Sequence, residues 1–302
     1  MDEKKEAKVL TTVFESYLTK NQQYSRAVHA RTFGMLKGEF KVLNNPDDLK
    51  VGVFAKQQTY NCNVRFSSSF ADEFGSDLSG SPTGISIELI DPLNNEPLGQ
   101  NFLLSSSETF PFNIDDFVEL IASYNNKCRF FSWVVKMIVN GKARQLYNAY
   151  YSYHQTVSLL YTEYFSIVPF KFGENKVVKY HLRTNLVRMP ADVERGSHYL
   201  TNEMNRTLKD NGYARFEFCL QFKEKDESID DVTVAWSGSS VVVAELVFKS
   251  QDFATRSIME AAKNKEIHNT CLPEHAPLGK MNRVRHYLYR WLSDFKHQDL
   301  KF

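Results

Sequence analysis

Residues 63–68 read Asn-Val-Arg-Phe-Ser-Ser, and strand alternation sends Val64 and Phe66 to one face and Arg65 and Ser67 to the other. Three stretches of the same kind surround it: GEFKVL at 38–43, TGISIELI at 83–90 and QNFLLS at 100–105. Turn signals separate them, namely Asn45-Pro46, Gly75-Ser76, Ser81-Pro82 and Asp91-Pro92. From about Met35 to Ser106 the chain therefore reads as antiparallel β-structure. The pattern returns in VVKYHLR (177–183), ARFEFCLQF (214–222) and SVVVAELVF (240–248).

Helical periodicity occupies the intervals. An amphipathic N-terminal helix over 3–20 carries Val9, Leu10, Val13, Phe14 and Leu18 and is expected to dock on the domain. Residues 114–165 form a helical excursion with Phe117, Leu120 and Ile121, then Phe130, Phe131, Val134, Val135 and Ile138, then a tyrosine-rich run through Tyr164. Further helices are expected near 191–210 and over 278–296. Strands, helices, strands, helices is the order of an α+β protein and not of a βαβ alternation. Two groups of four strands separated by the excursion predict one eight-stranded antiparallel β-barrel with surrounding helices, wide enough inside for side chains or one ligand. The whole of 1–302 reads as a single domain.

The 302 residues carry 37 Lys plus Arg against 36 Asp plus Glu, a formal charge of +1, so no global field steers nucleic acid or an anionic membrane. A charge-based partner would have to be recognised locally. With 23 Phe, 15 Tyr and 3 Trp, the composition favours ring-rich packing around a core or an apolar ligand. Cys62, Cys128, Cys219 and Cys271 form no C-x-x-C pair, which excludes a zinc ribbon or a thioredoxin-like redox centre and suits reduced thiols in the cytoplasm. The opening MDEKKEAK contains no apolar signal core, and the longest oily run, Trp133 to Val139, is broken by Lys136 and too short to span a bilayer. There is no Gly-rich phosphate loop and no internal repeat. The acidic EKDESIDD at 224–231 reads as a solvated hairpin loop.

Three constellations could carry chemistry. The first is Arg26-Ala27-Val28-His29-Ala30 ahead of Gly34, Gly38 and a strand; a lone histidine in such a place is in general a surface or satisfied core residue. The second is Arg65 with Ser67. Facing the interior, the guanidinium would need an anionic partner such as a carboxylate; facing outward, the pair is an ordinary polar face. The third lies on the last helix, where Arg285 and Tyr289 are four apart and share a face. An adjacent guanidinium favours phenolate, and tyrosinate is a known axial ligand of haem iron, but the spacing alone is common.

Together and in this order, RAVHARTFGMLKGEF (26–40), VRFSSSF (64–70) and RVRHYLY (283–289) resemble the catalase family. That family carries R-x-x-H-A before glycines and a strand, then V-R-F-S, and finally an R-x-x-x-Y helix. DEFGSDLSGSPTGISIEL (72–89) and KVVKYHLRTN (176–185) resemble the intervening segments, so the likeness spans residues 20–296 or thereabouts. It is nearest to minimal catalase-like haem proteins, the branch of catalase-related peroxidases and allene oxide synthases. Their last helix reads like H-x-P-L-G-x-I-N-R-x-R-x-x-x-Y, and here that stretch runs from His275 through Pro277, Leu278, Gly279, Asn282, Arg283 and Arg285 to Tyr289.

The resemblance implies a barrel with haem b inside, Tyr289 as the axial ligand below the iron and His29 above it. Arg285 would hold Tyr289 as phenolate, His29 would carry a proton from the hydroperoxide to the departing oxygen, and Ser67 would orient its ring. Arg26 and Arg65 would pair with the haem propionates, and Phe117 would stack near the porphyrin. Two positions depart from the family. Catalases carry a distal asparagine in the segment resembling QNFLLSSSETF (100–110), where this chain has Ser106, whose hydroxyl can donate to a peroxide but reaches less far. Long catalases carry an acidic residue ahead of the arginine where this chain has Gly279, while the histidine resembling that acid's partner is retained as His181.

The function so implied is a haem-dependent peroxidase acting on hydrogen peroxide or organic hydroperoxides, lipid hydroperoxides included, with weak catalase activity and a small reductant. Two alternatives stay open: a fatty-acid hydroperoxide rearranging enzyme of the allene oxide synthase or hydroperoxide lyase type, and a catalytically silent haem or lipid binder. Val28, where allene oxide synthases resembling this family place threonine, argues against the first; retention of His29, Arg285 and Tyr289 argues against the second. No nucleic-acid partner or transmembrane segment is expected, and self-association into a homo-oligomer is left open.

Overall fold

The alternating segments build β1 (Thr32–Val42), β2 (Thr59–Ser68), β3 (Thr83–Ile90) and β4 (Pro97–Ser105), each antiparallel to the next. The computed structural model describes residues 3–20, 29–68, 75–123, 126–152, 156, 158–186, 195–264, 267 and 269–299. Two short strands, β5 (Tyr164–Phe165) and β6 (Phe170–Phe172), lie end to end along one edge of β7 (Lys176–Thr184). The other edge of β7 carries β8 (Tyr213–Phe222), followed by β9 (Ser240–Lys249). Because β9 returns to β1, and β5 also pairs with β4 through Phe165 and Ser105, the sheet closes on itself. With β5 and β6 taken as one interrupted strand, the ring is the expected eight-stranded antiparallel barrel of an α+β protein.

The barrel is filled from within. Phe40, Phe54, Phe66, Phe102, Tyr164, Phe172, Tyr180, Phe216, Phe218 and Phe248 are closed to solvent. Ring centroids lie 4.7 Å apart for Phe102 and Phe218, 5.0 Å for Phe102 and Tyr180, and 5.1 Å for Phe40 and Phe218. Burying each such ring contributes about 1.5–3 kcal/mol, so the interior is a packed core. The expectation of haem inside the barrel is therefore corrected: a porphyrin has to lie outside the ring of strands.

Around the barrel stand α1 (Glu3–Lys20), α2 (Ile114–Ser123), α3 (Lys127–Val139), α4 (Ala143–Ser152), α5 (Tyr199–Asn211), α6 (Arg256–Asn264) and α7 (Lys280–Asp299). Helix α1 docks as its pattern predicts, setting Ala7 and Leu10 against Ile114 and Val118 of α2 and Val284 and Leu288 of α7. The excursion is shorter than its periodicity suggests, since Tyr164 is in a strand and not in a helix. Helix α5 begins at Tyr199, and residues 191–194 of its expected start lie outside the described residues. At the start of α7, Gly279 has φ 77°, and the Asp230 carboxylate accepts the Lys280 N–H at 2.6 Å. The acidic 224–231 segment is thus the expected β8–β9 connection, but it is docked on a helix start and not merely solvated.

Candidate functional site

Strand β2 is buried on both faces. Val64 and Phe66 belong to the barrel core, while Arg65 and Ser67, on the outer face, are only 3% and 1% exposed. That face is outside the barrel yet closed to water, a case neither reading of the alternation anticipated. His29 enters β1 with φ 52°, a left-handed conformation uncommon for a non-glycine residue. Its Nδ1 lies 3.0 Å from Ser67 Oγ. Arg65 holds the same turn, donating from Nη2 to the His29 carbonyl at 2.5 Å and from Nε to Thr32 Oγ1 at 2.9 Å.

The cluster extends across the neighbouring strand ends. Ser67 is paired with Gly84 on β3, and Gly84 with Ser105 on β4. The glycine is what lets the imidazole lie against β3, because a Cβ at position 84 would stand 2.7 Å from His29 Cε1. One residue along, Thr83 donates its N–H to Ser106 Oγ at 3.0 Å and accepts the Ser106 N–H at 2.8 Å. His29, Ser67 and Ser106 are thereby brought to one end of β1–β4.

A second group stands on α7. The guanidinium carbon of Arg285 is 5.6 Å from the Tyr289 ring centroid, so the pair meets as its spacing predicts. Asn282, fully buried beside them, donates to the Pro169 carbonyl at 2.8 Å and accepts from Asn269 Nδ2 at 3.2 Å, while His286 Nδ1 lies 3.3 Å from the Asn269 carbonyl. The next residue, Thr270, receives both the N–H and the side-chain amide of Asn101 on β4, each at 2.9 Å. Asn101 alternates with the core residue Phe102, so the segment 269–270 ties α7 to the outer face of β4, which β3 separates from the β2 strand of Arg65 and Ser67.

The remaining expected positions fall elsewhere. Phe117 lies on α2, edge-on to Phe110 at 5.1 Å, between the α1–α7 cluster and the cluster around Trp133. Arg26 is outside the described residues. His181 is on the outer side of β7, stacked on Phe165 at 4.4 Å with Nε2 3.2 Å from Glu163 Oε2. Burial pushes its pKa down and Glu163 pulls the other way. The partner of His181 is therefore a neighbouring acid and not a residue of the α7 start. Cys271, near Arg285, has its thiol pushed up to about 12 by burial, which the cation offsets only in part.

Two features had no clear mark in the sequence. Gly84 is one of 13 glycines and shows its purpose only against His29. Arg31 is buried against Asp77, with Nε to Oδ1 2.8 Å, and also reaches the Ser197 carbonyl at 3.1 Å and His198 Nδ1 at 2.9 Å. The other Asp77 oxygen accepts the Leu200 N–H at 2.9 Å. This clamp fixes the chain two residues after His29 to the start of α5.

Among the described residues no group of three His, Cys, Asp or Glu could hold a bare metal ion. A porphyrin, however, brings its own nitrogens to the iron and asks of the protein an axial donor and cations for its propionates. Tyr289, with the Arg285 cation beside it, and Arg65 are residues of the kind that could hold haem b.

Comparison with solved structures gives a fungal catalase at TM-score 0.71 and 14% identity, covering 91% of this chain and 60% of that one. Catalase A from Saccharomyces cerevisiae matches at 0.72 and 14%, covering 93% and 63%. A bacterial catalase matches at 0.71 and 14%, covering 95% and 60%. The chain thus has the catalase-type fold and spans less than two thirds of the length of these catalases. No family model matches the sequence, and no curated protein sequence matches it.

Proposed function

We propose that this chain is a haem-dependent peroxidase acting on hydrogen peroxide or organic hydroperoxides, with weak catalase activity. The observation that carries the reading is the His29–Ser67 pair, 3.0 Å apart, with Ser67 buried and His29 partly buried against the outer face of a catalase-type barrel. When bound, haem b supplies an iron at which the peroxide O–O bond is cleaved, with a small reductant restoring the electrons.

The chain's own residues do the proton work. In the tautomer whose Nδ1–H donates to Ser67 Oγ, the His29 lone pair lies on Nε2, from which the ring would take the hydroperoxide proton and return it to the departing oxygen. Arg65 holds the His29 main chain from behind. It would also meet a haem propionate, together with Arg26. Tyr289 would supply the phenolate that holds the haem iron, its charge balanced by the Arg285 cation beside the ring. Ser106 would donate to the bound peroxide, but its oxygen is already held by the Thr83 N–H, and this short donor suits peroxidation better than rapid disproportionation.

The test is titration of the full chain with hemin. A Soret band with a high-spin ferric tyrosinate pattern is expected, and it should be lost or weakened in Tyr289→Phe. His29→Ala should keep the haem and slow peroxide cleavage by about 10²-fold or more. Undiminished haem in Tyr289→Phe, or an unchanged rate in His29→Ala, overturns the reading. A polyunsaturated hydroperoxide consumed without reductant, giving ketol or aldehyde products, replaces it with a rearranging enzyme.

A further inference from the structure

We propose that the outer surface of α3 and α4 is a docking face for an anionic lipid bilayer, on which the chain rests without crossing it. Helix α3 carries apolar residues on two sides. Trp133 and Met137 pack inward on Phe112. Phe131, Val135, Ile138 and Val139 all fall within about 100° of one another around the helix and point outward. Phe131 is 70% exposed and Val139 78%, and Tyr147 and Tyr150 on α4 are 58% and 67% exposed. Exposed aromatic and aliphatic side chains in this number on two successive helices mark a contact surface.

Charge selects the occupant. Residues 120–162 contain no Asp or Glu, yet Lys127, Arg129, Lys136, Lys142 and Arg144 fall in this window of a chain whose net charge is +1. Lys136 and Lys142 are held by Glu119 and Asp116 of α2, at 2.7 Å and 2.6 Å. Lys127, Arg129 and Arg144 stand exposed on the same two helices as the apolar stripe. Apolar side chains interleaved with cations, and tyrosines alongside, are the pattern of a helix lying in a bilayer interface. A second copy of the chain is disfavoured, because a twofold contact sets the same cations against themselves. No helix among the described residues is long and apolar enough to cross a membrane, in keeping with a surface contact. The proposal stands apart from the haem reading and is tested without haem.

The experiment is co-flotation of the full chain with vesicles of phosphatidylcholine alone or with phosphatidylserine added, at low and high salt. Binding is expected to the anionic vesicles and to weaken with salt. Joint replacement Lys127→Ser, Arg129→Ser and Arg144→Ser should weaken it by about 10²-fold, on the scale of the attraction per basic residue near such a surface. Joint replacement Phe131→Ser and Val139→Ser should cost at least about tenfold. Leu93→Ser, on the distant β3–β4 turn, should bind as the parent does, and because all these side chains are exposed the variants should melt with it. No flotation, or equal flotation with neutral vesicles, overturns the proposal. So does a concentration-dependent dimer in vesicle-free solution that Phe131→Ser and Val139→Ser dissociate, which would seat a second copy on this face.

Discussion

Gly84 and His29 meet across the end of the β1–β3 sheet so closely that any side chain at position 84 would displace the imidazole: a Cβ there would stand 2.7 Å from His29 Cε1 and 3.1 Å from Nδ1. The second distance matters most, since Nδ1 is the atom paired with Ser67. Gly84→Ala should cost about 1–3 kcal/mol of stability, the range for overpacking a filled site. It should also break the His29–Ser67 contact while leaving α7 intact. On the function proposed above, haem uptake is retained and peroxide cleavage falls toward the level of His29→Ala. Denaturant unfolding and single-turnover rates check the two parts, and a Gly84→Ala variant as active as the parent would show that ring placement against β3 is immaterial.

Much of this arrangement was legible in the sequence, and what was not has identifiable causes. The long strands announced themselves through alternation, as in Val64, Arg65, Phe66 and Ser67. Strands β5 and β6 did not, because two and three residues are too few to show a period. They are also split where Ile167 takes φ 63°, an excursion that no residue type at that position signals. Alternation set Arg65 and Ser67 opposite Val64 and Phe66 but left open whether their face was inside the barrel, and it could not tell that both faces of β2 are covered. That depends on elements distant in sequence. The Arg31–Asp77 clamp was hidden for the same reason, as its partners come from 75–77 and 197–200.

Gly279 poses a sharper question, since a carboxylate at that place is what the resemblance to long catalases would ask for. The backbone answers against it. Position 279 has φ 77°, and a Cβ there would strike the Ile229 carbonyl, which belongs to the loop capping α7. Gly279→Asp should therefore destabilise the fold by about 2 kcal/mol or more through a strained backbone and a displaced cap. His181 should keep Glu163 as its partner. A denaturation midpoint equal to the parent's, or a shift of the His181 ring resonances in the variant, would contradict this account.

The last consequence concerns His275, the histidine that opens the resembling terminal motif and proves to be structural. Its ring is fully buried between Phe54 and Phe172, with centroids 5.5 Å and 5.8 Å away, and neither ring nitrogen makes a well-formed hydrogen bond among the described residues. Burial lowers its pKa from 6.5 to about 4, against an opposing pull from Glu274 and from the backbone of Lys171 and Val51. The unfolded chain then binds this proton at a higher pH than the folded chain does. Stability falls as pH drops from 6.5 toward 4, and it is unaffected by this group above that window. The full effect is at most about 3 kcal/mol. His275→Leu, similar in volume and without polar atoms to satisfy, should match or exceed the parent at neutral pH and should lose less stability on acidification. Carboxylates titrate in both proteins, so the informative quantity is the difference between their unfolding free energies measured at several pH values. That difference should widen in favour of His275→Leu as pH falls through the window, and parallel curves would mean that His275 takes up its proton in the folded protein at the ordinary pKa, with a partner for the charge.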